Sequence, residues 1–305
     1  MSDGGVVVTG GTGLIGARLA ERLREAGCTL RFIARDPTRV QLRGSERALG
    51  WDGVHVEPAW LDGAHAVVHL AGEPIFGGAP TAARRERIWS SRVDSTRSLV
   101  SALAGLPSER RPRALVCASA VGYYGDSGDD EVREGDPPGP GFLSELCRDW
   151  EAEAARAREL GVRVCSLRIG VVLAKRGGAL GLLLPMFRAG LGGRIGSGRQ
   201  WFPWIHLDDC AALAQFALDS EHARGPWNCS APGSVRNAEF SAALAKAVHR
   251  PAFIPVPAFA VKAALRELSA ELLASRRVVP AAAISAGFRF RYATLESALD
   301  EIVSA

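Results

Sequence analysis

Over roughly the first 170 residues, short unbroken apolar runs alternate with stretches in which apolar residues recur every three or four positions. Residues 6–8, 29–34, 66–70, 114–118 and 162–167 have the first pattern, which predicts strands buried on both faces. Leu14, Leu19, Leu23 and Ala26 have the second, and Gly27 ends that helix. Trp89, Val93, Thr96, Val100 and Leu103 mark one face of another. This alternation predicts an α/β fold, a doubly wound parallel sheet covered by helices on both faces. Beyond residue 170 the pattern changes. Glycine and proline punctuate shorter segments (Gly190 to Gly198, Pro203, Pro226, Pro232, Pro251, Pro255, Pro257), with helices expected over 208–220, 238–248 and 259–273. The expected division is a main domain over 1–170, to which 205–230 returns, and a smaller lobe over 171–305, built mainly from 171–204 and 231–305.

The first of the β–turn–α transitions carries the strongest chemical signal. Thr9-Gly10-Gly11-Thr12-Gly13-Leu14-Ile15-Gly16 follows a strand and opens an amphipathic helix. Glycines there allow a tight turn and close backbone approach, and the helix start offers free N–H groups to a pyrophosphate, the device of a Rossmann dinucleotide site. Cofactor choice falls at the end of the second strand, Phe32-Ile33-Ala34-Arg35-Asp36. Ala34 stands where NAD binders place an acid for the ribose 2′-hydroxyl, and Arg35 follows with a guanidinium suited to a 2′-phosphate. NADP(H) is therefore preferred and NAD(H) possible, the latter if Asp36 takes the ribose. A flavin in the same fold is a lesser alternative. His69-Leu70-Ala71-Gly72 ends the next strand, with Leu70, Ala71 and Gly72 small enough to pass the cofactor and His69 read as a core histidine.

Composition narrows the classes. The chain has 305 residues, 47% of them hydrophobic, and a net charge of +4. The basic residues are scattered, with no stripe interleaved by aromatics, so no nucleic-acid partner is expected. No run of about 18 apolar residues and no leader pattern occurs, so the expectation is a cytoplasmic protein without a membrane partner. The six cysteines include no CxxC pair and no metal-ligand spacing, which predicts free thiols and no metal.

The chain resembles the short-chain dehydrogenase/reductase superfamily in its extended, epimerase/dehydratase-like branch. The resemblance rests on residues 9–16 and 69–72, on Ser119-Ala120-Val121-Gly122-Tyr123-Tyr124-Gly125, on Leu167-Arg168-Ile169-Gly170, and on Trp204-Ile205-His206-Leu207-Asp208-Asp209. It is most similar to the atypical group called epimerase family proteins, which shares the Trp150-Glu151 pair, Asn228 to Pro232, and Pro280 with Gly287-Phe288. The resemblance implies a Rossmann fold, a dinucleotide cofactor, Ser119 and Arg168 near that cofactor, a C-terminal substrate lobe and a possible homodimer through the helices near residues 89–103 and 145–159.

The superfamily's usual proton donor is a tyrosine with a lysine four residues later. That dyad is absent: Tyr123, Tyr124 and Tyr292 are followed at that distance by Ser127, Gly128 and Glu296. The segment that should carry it reads Phe142-Leu143-Ser144-Glu145-Leu146-Cys147. Two classes of function follow. One is an oxidoreductase or epimerase-like enzyme acting on a small carbonyl or hydroxyl compound, with Tyr124 or Tyr123 as acid and Ser119 binding the substrate oxygen. Glu73, Tyr124, Trp201, Trp204 and His206 would then line the substrate pocket. The other is an NADP(H)-binding sensor without turnover. Independently of that choice, Trp201 and Trp204 have a structural reading as filling of the lobe interface, His206 as a stitch from a turn to a helix, and Arg168 as the partner of a buried carboxylate such as Glu151.

Overall fold

The computed structural model describes residues 5–75, 78–79 and 81–304. Its centre is a seven-stranded parallel sheet. The strands are β1 (Val6–Thr9), β2 (Leu30–Ala34), β3 (Arg47–Gly50), β4 (Ala66–His69), β5 (Ala114–Ala120), β6 (Arg163–Ile169) and β7 (Gly225–Cys229), arranged β3-β2-β1-β4-β5-β6-β7. The longer helices are α1 (Leu14–Glu25), α2 (Ala82–Ser90), α3 (Val93–Ala104), α4 (Phe142–Ala155), α5 (Gly178–Arg188), α6 (Leu207–Asp219), α7 (Asn237–Ala247), α8 (Ala258–Leu265) and α9 (Leu295–Ser304).

Alternate side chains on a strand point to opposite faces, which divides the core in two. Val6 and Val8 join Leu19, Leu23 and Leu213 under α1 and α6. Val7, Val67, Leu115 and Val164 join Leu99, Leu146 and Trp150 under α3 and α4. Both faces are covered, so the strands read as unbroken apolar runs. β1 lies between β2 and β4, with Val6 opposite both Leu30 and Ala66, and the strand order reverses there. Ligands of open α/β sheets bind above the carboxyl ends of the strands at such a point.

The lobe has its own core, in which Leu180, Phe187, Trp204, Phe240 and Leu299 pack together. Residues 207–229 return from it to the sheet as α6 and β7. Two expected helices are broken. The one through Trp89 and Leu103 is α2 and α3, divided at Ser91-Arg92. The one over 259–273 is interrupted at Arg266, whose φ of 49° no continuous helix admits. Among the described residues no helix is long and apolar enough to cross a membrane.

Candidate functional site

The fingerprint turn is built by close contacts that only glycine allows. Gly10 has φ +71°, and a Cβ there would stand 2.7 Å from the Leu70 carbonyl carbon. A Cβ on Gly16 would stand 2.2 Å from the Gly10 oxygen, so this glycine lets α1 start against the end of β1. Gly13 caps α1 without any side-chain hydrogen bond. No acidic residue occupies the first turn. The first N–H groups of the helix, on Leu14, Ile15 and Gly16, and the positive end of its dipole thus face the groove between β1 and β4, where a pyrophosphate fits.

A buried relay fixes the opposite wall. The Thr9 hydroxyl lies 2.8 Å from His69 Nδ1 and accepts from the Ala71 N–H at 3.2 Å. His69 Nε2 lies 3.3 Å from Ser95 Oγ, which itself donates to the Ser91 carbonyl. In the consistent tautomer His69 is neutral, accepting from Thr9 at Nδ1 and donating to Ser95 at Nε2. His69 is thus a core residue that holds Leu70, Ala71 and Gly72 in place. Burial pushes its pKa down from 6.5 to about 4. The unfolded chain therefore binds the extra proton first as pH falls, so His69 contributes stability that is complete above pH 6.5 and lost towards pH 4. Urea denaturation is expected to show a loss on the order of 3 kcal/mol from this group across that window. His69→Gln should flatten the slope, and an unchanged slope would reject the assignment.

At the end of β2 the two cofactor alternatives separate. Asp36 turns its carboxylate back to cap the turn Pro37–Arg39, accepting from the Thr38 N–H at 3.1 Å. Arg35 stays two-thirds exposed, with Glu73 3.6 Å away as its ion-pair partner. Arg92, which the sequence reading missed, lies on the other side of Gly72. Its guanidinium is nearly buried, and a Cβ on Gly72 would stand 3.0 Å from its Cζ. Nη1 donates to the Ile88 carbonyl and Ser91 Oγ. Among the described residues no carboxylate pairs with it, and burial lowers its pKa. The only sequence signal was an arginine within an otherwise apolar helical face.

The expected catalytic residues fall into a buried network around Arg168. Ser119 and Arg168 are opposite each other on β5 and β6. Arg168 grips Glu151 of α4 with two 2.8 Å hydrogen bonds, and Ser119 donates to the same carboxylate at 2.6 Å. Arg168 also donates to the Tyr124 hydroxyl at 2.9 Å, and that hydroxyl donates to Asn228 Oδ1 at 2.6 Å. Burial opposes the Arg168 charge, but the hydrogen bonds and charge of Glu151 outweigh it and raise its pKa. Burial pushes the Tyr124 phenol up to about 12 despite the adjacent cation. With 3% exposure and both hydrogen-bonding directions used, the Tyr124 hydroxyl is not turned to a substrate. The Arg168 side chain likewise faces Glu151 rather than the fingerprint turn. Tyr123 is different: it is half-buried, its ring lies 3.4 Å beneath the Arg168 guanidinium, and its hydroxyl has no hydrogen-bond partner among the described residues. Where the dyad would stand, Leu143 is buried and burial pushes the Cys147 thiol up to about 12.

The five residues expected to line one pocket each have partners of their own. Glu73 faces Arg35. Tyr124 is in the network above. Trp201 lies between Arg236 and Arg277, 4.3 and 4.9 Å from its ring centre. Trp204 fills the lobe core and donates to the Gly233 carbonyl at 2.9 Å. His206 caps α6, stacks on Tyr292 and contacts Glu301 at 3.0 Å. Trp204 and His206 are thus held by packing and capping. A cavity of about 220 Å³ lies between α2, the start of α4 and the lobe segment at Arg266, lined by Thr81, Arg84, Ile88, Phe142, Arg266 and Leu268.

A parallel sheet with an uncapped, glycine-lined helix start at its switch point defines a dinucleotide-binding protein of the Rossmann class. Residues 6–230 match the NAD dependent epimerase/dehydratase family, and residues 256–302 match a domain of unknown function, DUF1731. The chain belongs to the NAD dependent epimerase/dehydratase family. It is 40% identical over 301 residues to the chloroplastic epimerase family protein SDR39U1 homolog of Arabidopsis thaliana, covering 98% of this chain and 86% of that one. The crystal structure of human epimerase family protein SDR39U1 with NADPH superposes with a TM-score of 0.86 at 35% identity, covering 98% of this chain and 99% of that one. A nucleoside-diphosphate sugar epimerase from Corynebacterium glutamicum gives 0.78 at 34% identity, with 98% of this chain matched to 57% of that one.

Proposed function

We propose that this protein is an NADP(H)-dependent, epimerase-like oxidoreductase of the cytoplasm, acting on a small carbonyl or hydroxyl compound. The observation that carries the reading is the division of labour at the end of β2: Asp36 is consumed as a cap while the Arg35 guanidinium stays at the surface beside the groove. The residues fit the cofactor. The first-turn N–H groups of α1 would hold the pyrophosphate, Arg35 the 2′-phosphate, the backbone at Ala71 and Gly72 a ribose, and Arg92 a polar group beside Gly72. NADP(H) bound there supplies hydride transfer. The chain's own part is to orient the substrate in the cavity beside Ile88 and Phe142, and to exclude water with the lobe. Tyr123 is the proton donor in this reading, since its hydroxyl is free of hydrogen-bond partners among the described residues while Arg168 holds its ring in place. A homodimer through α3 and α4 would have to cover the Arg97–Asp94 and Arg97–Glu153 ion pairs on their outer face.

The test is fluorescence titration with NADPH and NADH, followed by a panel of small carbonyl compounds. Arg35→Ala is expected to weaken NADPH about tenfold to a hundredfold, the worth of a charge-assisted contact, and to leave NADH unchanged. Equal loss for both would reject the 2′-phosphate role. The locked hydroxyls of Ser119 and Tyr124 favour a second reading, a sensor that binds NADPH without turnover. Tight NADPH binding with no oxidation by any panel member would support it.

A further inference from the structure

Large apolar side chains left exposed on this molecule are concentrated on one part of the lobe. Leu182, Met186 and Leu191 lie on or just after α5, and Phe253, Ile254 and Val256 lie on the segment leading into α8, with Phe259 in its first turn. Phe253 is 86% exposed, Phe259 75% and Leu182 74%. The two segments run together. The Ile254 N–H donates to the Gly192 carbonyl at 3.1 Å and the Val256 N–H to the Arg194 carbonyl at 2.9 Å. Leu182 and Met186 are one helical turn apart on the outer side of α5.

The two segments that carry this face are basic. From residue 175 to 207 the chain contains Lys175, Arg176, Arg188, Arg194 and Arg199 and no Asp or Glu. From 240 to 266 it contains Lys246, Arg250, Lys262 and Arg266 and again no acid. All nine cations are exposed. Elsewhere acids and bases are mixed, since the whole chain has 33 acidic residues against 37 basic ones. Contiguous exposed apolar surface marks an interaction site. A partner helix or strand would need a groove of half-buried side chains or a free strand edge. Here the aromatic side chains instead stand out from the surface, on segments whose charged side chains are cationic.

We propose that this face docks the protein on the surface of a membrane rich in anionic lipid, with Phe253, Phe259 and Leu182 entering the headgroup boundary and the surrounding Lys and Arg pairing with lipid phosphates. Apolar insertion plus attraction to anionic headgroups is how proteins without a spanning helix lie on a bilayer. The expectation of no membrane partner drawn from the sequence rested on the lack of a span, which such docking does not need.

The experiment is vesicle flotation of the full chain with phosphatidylcholine alone and with roughly one-third phosphatidylglycerol. Retention on the anionic vesicles is expected at about 0.05 M salt and a reduction of about tenfold at about 0.5 M, where screening is short-ranged. A Phe253→Ser/Phe259→Ser double variant should lower retention about tenfold at both salts, with thermal stability and NADPH affinity unchanged. Arg188→Ser/Lys262→Ser should lower it on anionic vesicles at low salt only. No retention at low salt, or retention that both variants leave intact, would overturn the proposal. So would a dimer in sedimentation that the double Phe variant converts to monomer while vesicles retain nothing, since a second copy of the chain would then be the occupant.

Discussion

Gly13→Val is expected to abolish dinucleotide binding while leaving the protein folded, and Gly16→Val to damage the fold itself. The two glycines lie three residues apart in one fingerprint, yet their surroundings differ. A Cβ on Gly13 meets only the Gly10 oxygen, at 3.2 Å, and the rest of its volume is the open space in front of the first turn of α1. Its backbone, φ −79° and ψ 169°, is one that valine adopts without strain. The isopropyl group would then occupy the place where a pyrophosphate approaches the free N–H groups. NADPH affinity should fall at least about a hundredfold, a loss of ~2.8 kcal/mol. The cost to the fold is that of a poor cap, about 1 kcal/mol. At Gly16 the Cβ would stand 2.2 Å from the Gly10 oxygen and 2.9 Å from the Gly11 Cα, both backbone atoms. Relief requires moving the helix from the strand, so unfolding should become easier by ~3 kcal/mol or more. Calorimetric titration with thermal melting separates the cases. Unchanged NADPH affinity in Gly13→Val would remove the fingerprint from the cofactor site.

How far these features could be read from the chain depended on how local their causes are. Five of the seven sheet strands announce themselves because both of their faces are buried, so their residues are mostly apolar. β3 is an edge strand with the sequence Arg47-Ala48-Leu49-Gly50, half solvated, and has no such run. β7 contains Gly225, Pro226 and Asn228, yet it pairs with β6 because α6 delivers it there; Asn228 is consumed by Tyr124 and by the Val279 carbonyl rather than by solvent. α5 begins at Gly178 and contains Pro185, so local propensity argues against it, and packing of Leu180, Leu184 and Phe187 into the lobe core overrides that. The cofactor cradle is legible for the opposite reason: its chemistry is backbone geometry within eight consecutive residues. The catalytic side is not legible. Ser119 and Tyr124, Glu151, Arg168 and Asn228 come from four separated segments, and only the fold decides that their polar groups satisfy one another instead of a ligand.

That mutual satisfaction makes Arg168→Met the second large expected effect. Arg168 holds Glu151 with two hydrogen bonds and the Tyr124 hydroxyl with a third, in a site where its side chain is 3% exposed and that of Glu151 13%. Taking away the cation leaves a largely buried carboxylate with Ser119 as its only donor in this network, and such a loss costs about 3–5 kcal/mol. Glu151→Met should cost a similar amount by stranding the guanidinium. The double variant Arg168→Met/Glu151→Met should recover a large part of the loss, because a buried ion pair barely outperforms apolar side chains of similar volume. Urea denaturation of the two single variants and the double measures the coupling. NADPH affinity, measured on the same proteins, decides what the network is for. Affinity unchanged in the double variant means that Arg168 supports the sheet edge and the ring of Tyr123 rather than the cofactor. Single-variant losses below about 1 kcal/mol, with NADPH affinity reduced in both Arg168 variants, would return Arg168 to the cofactor site where the family resemblance had put it.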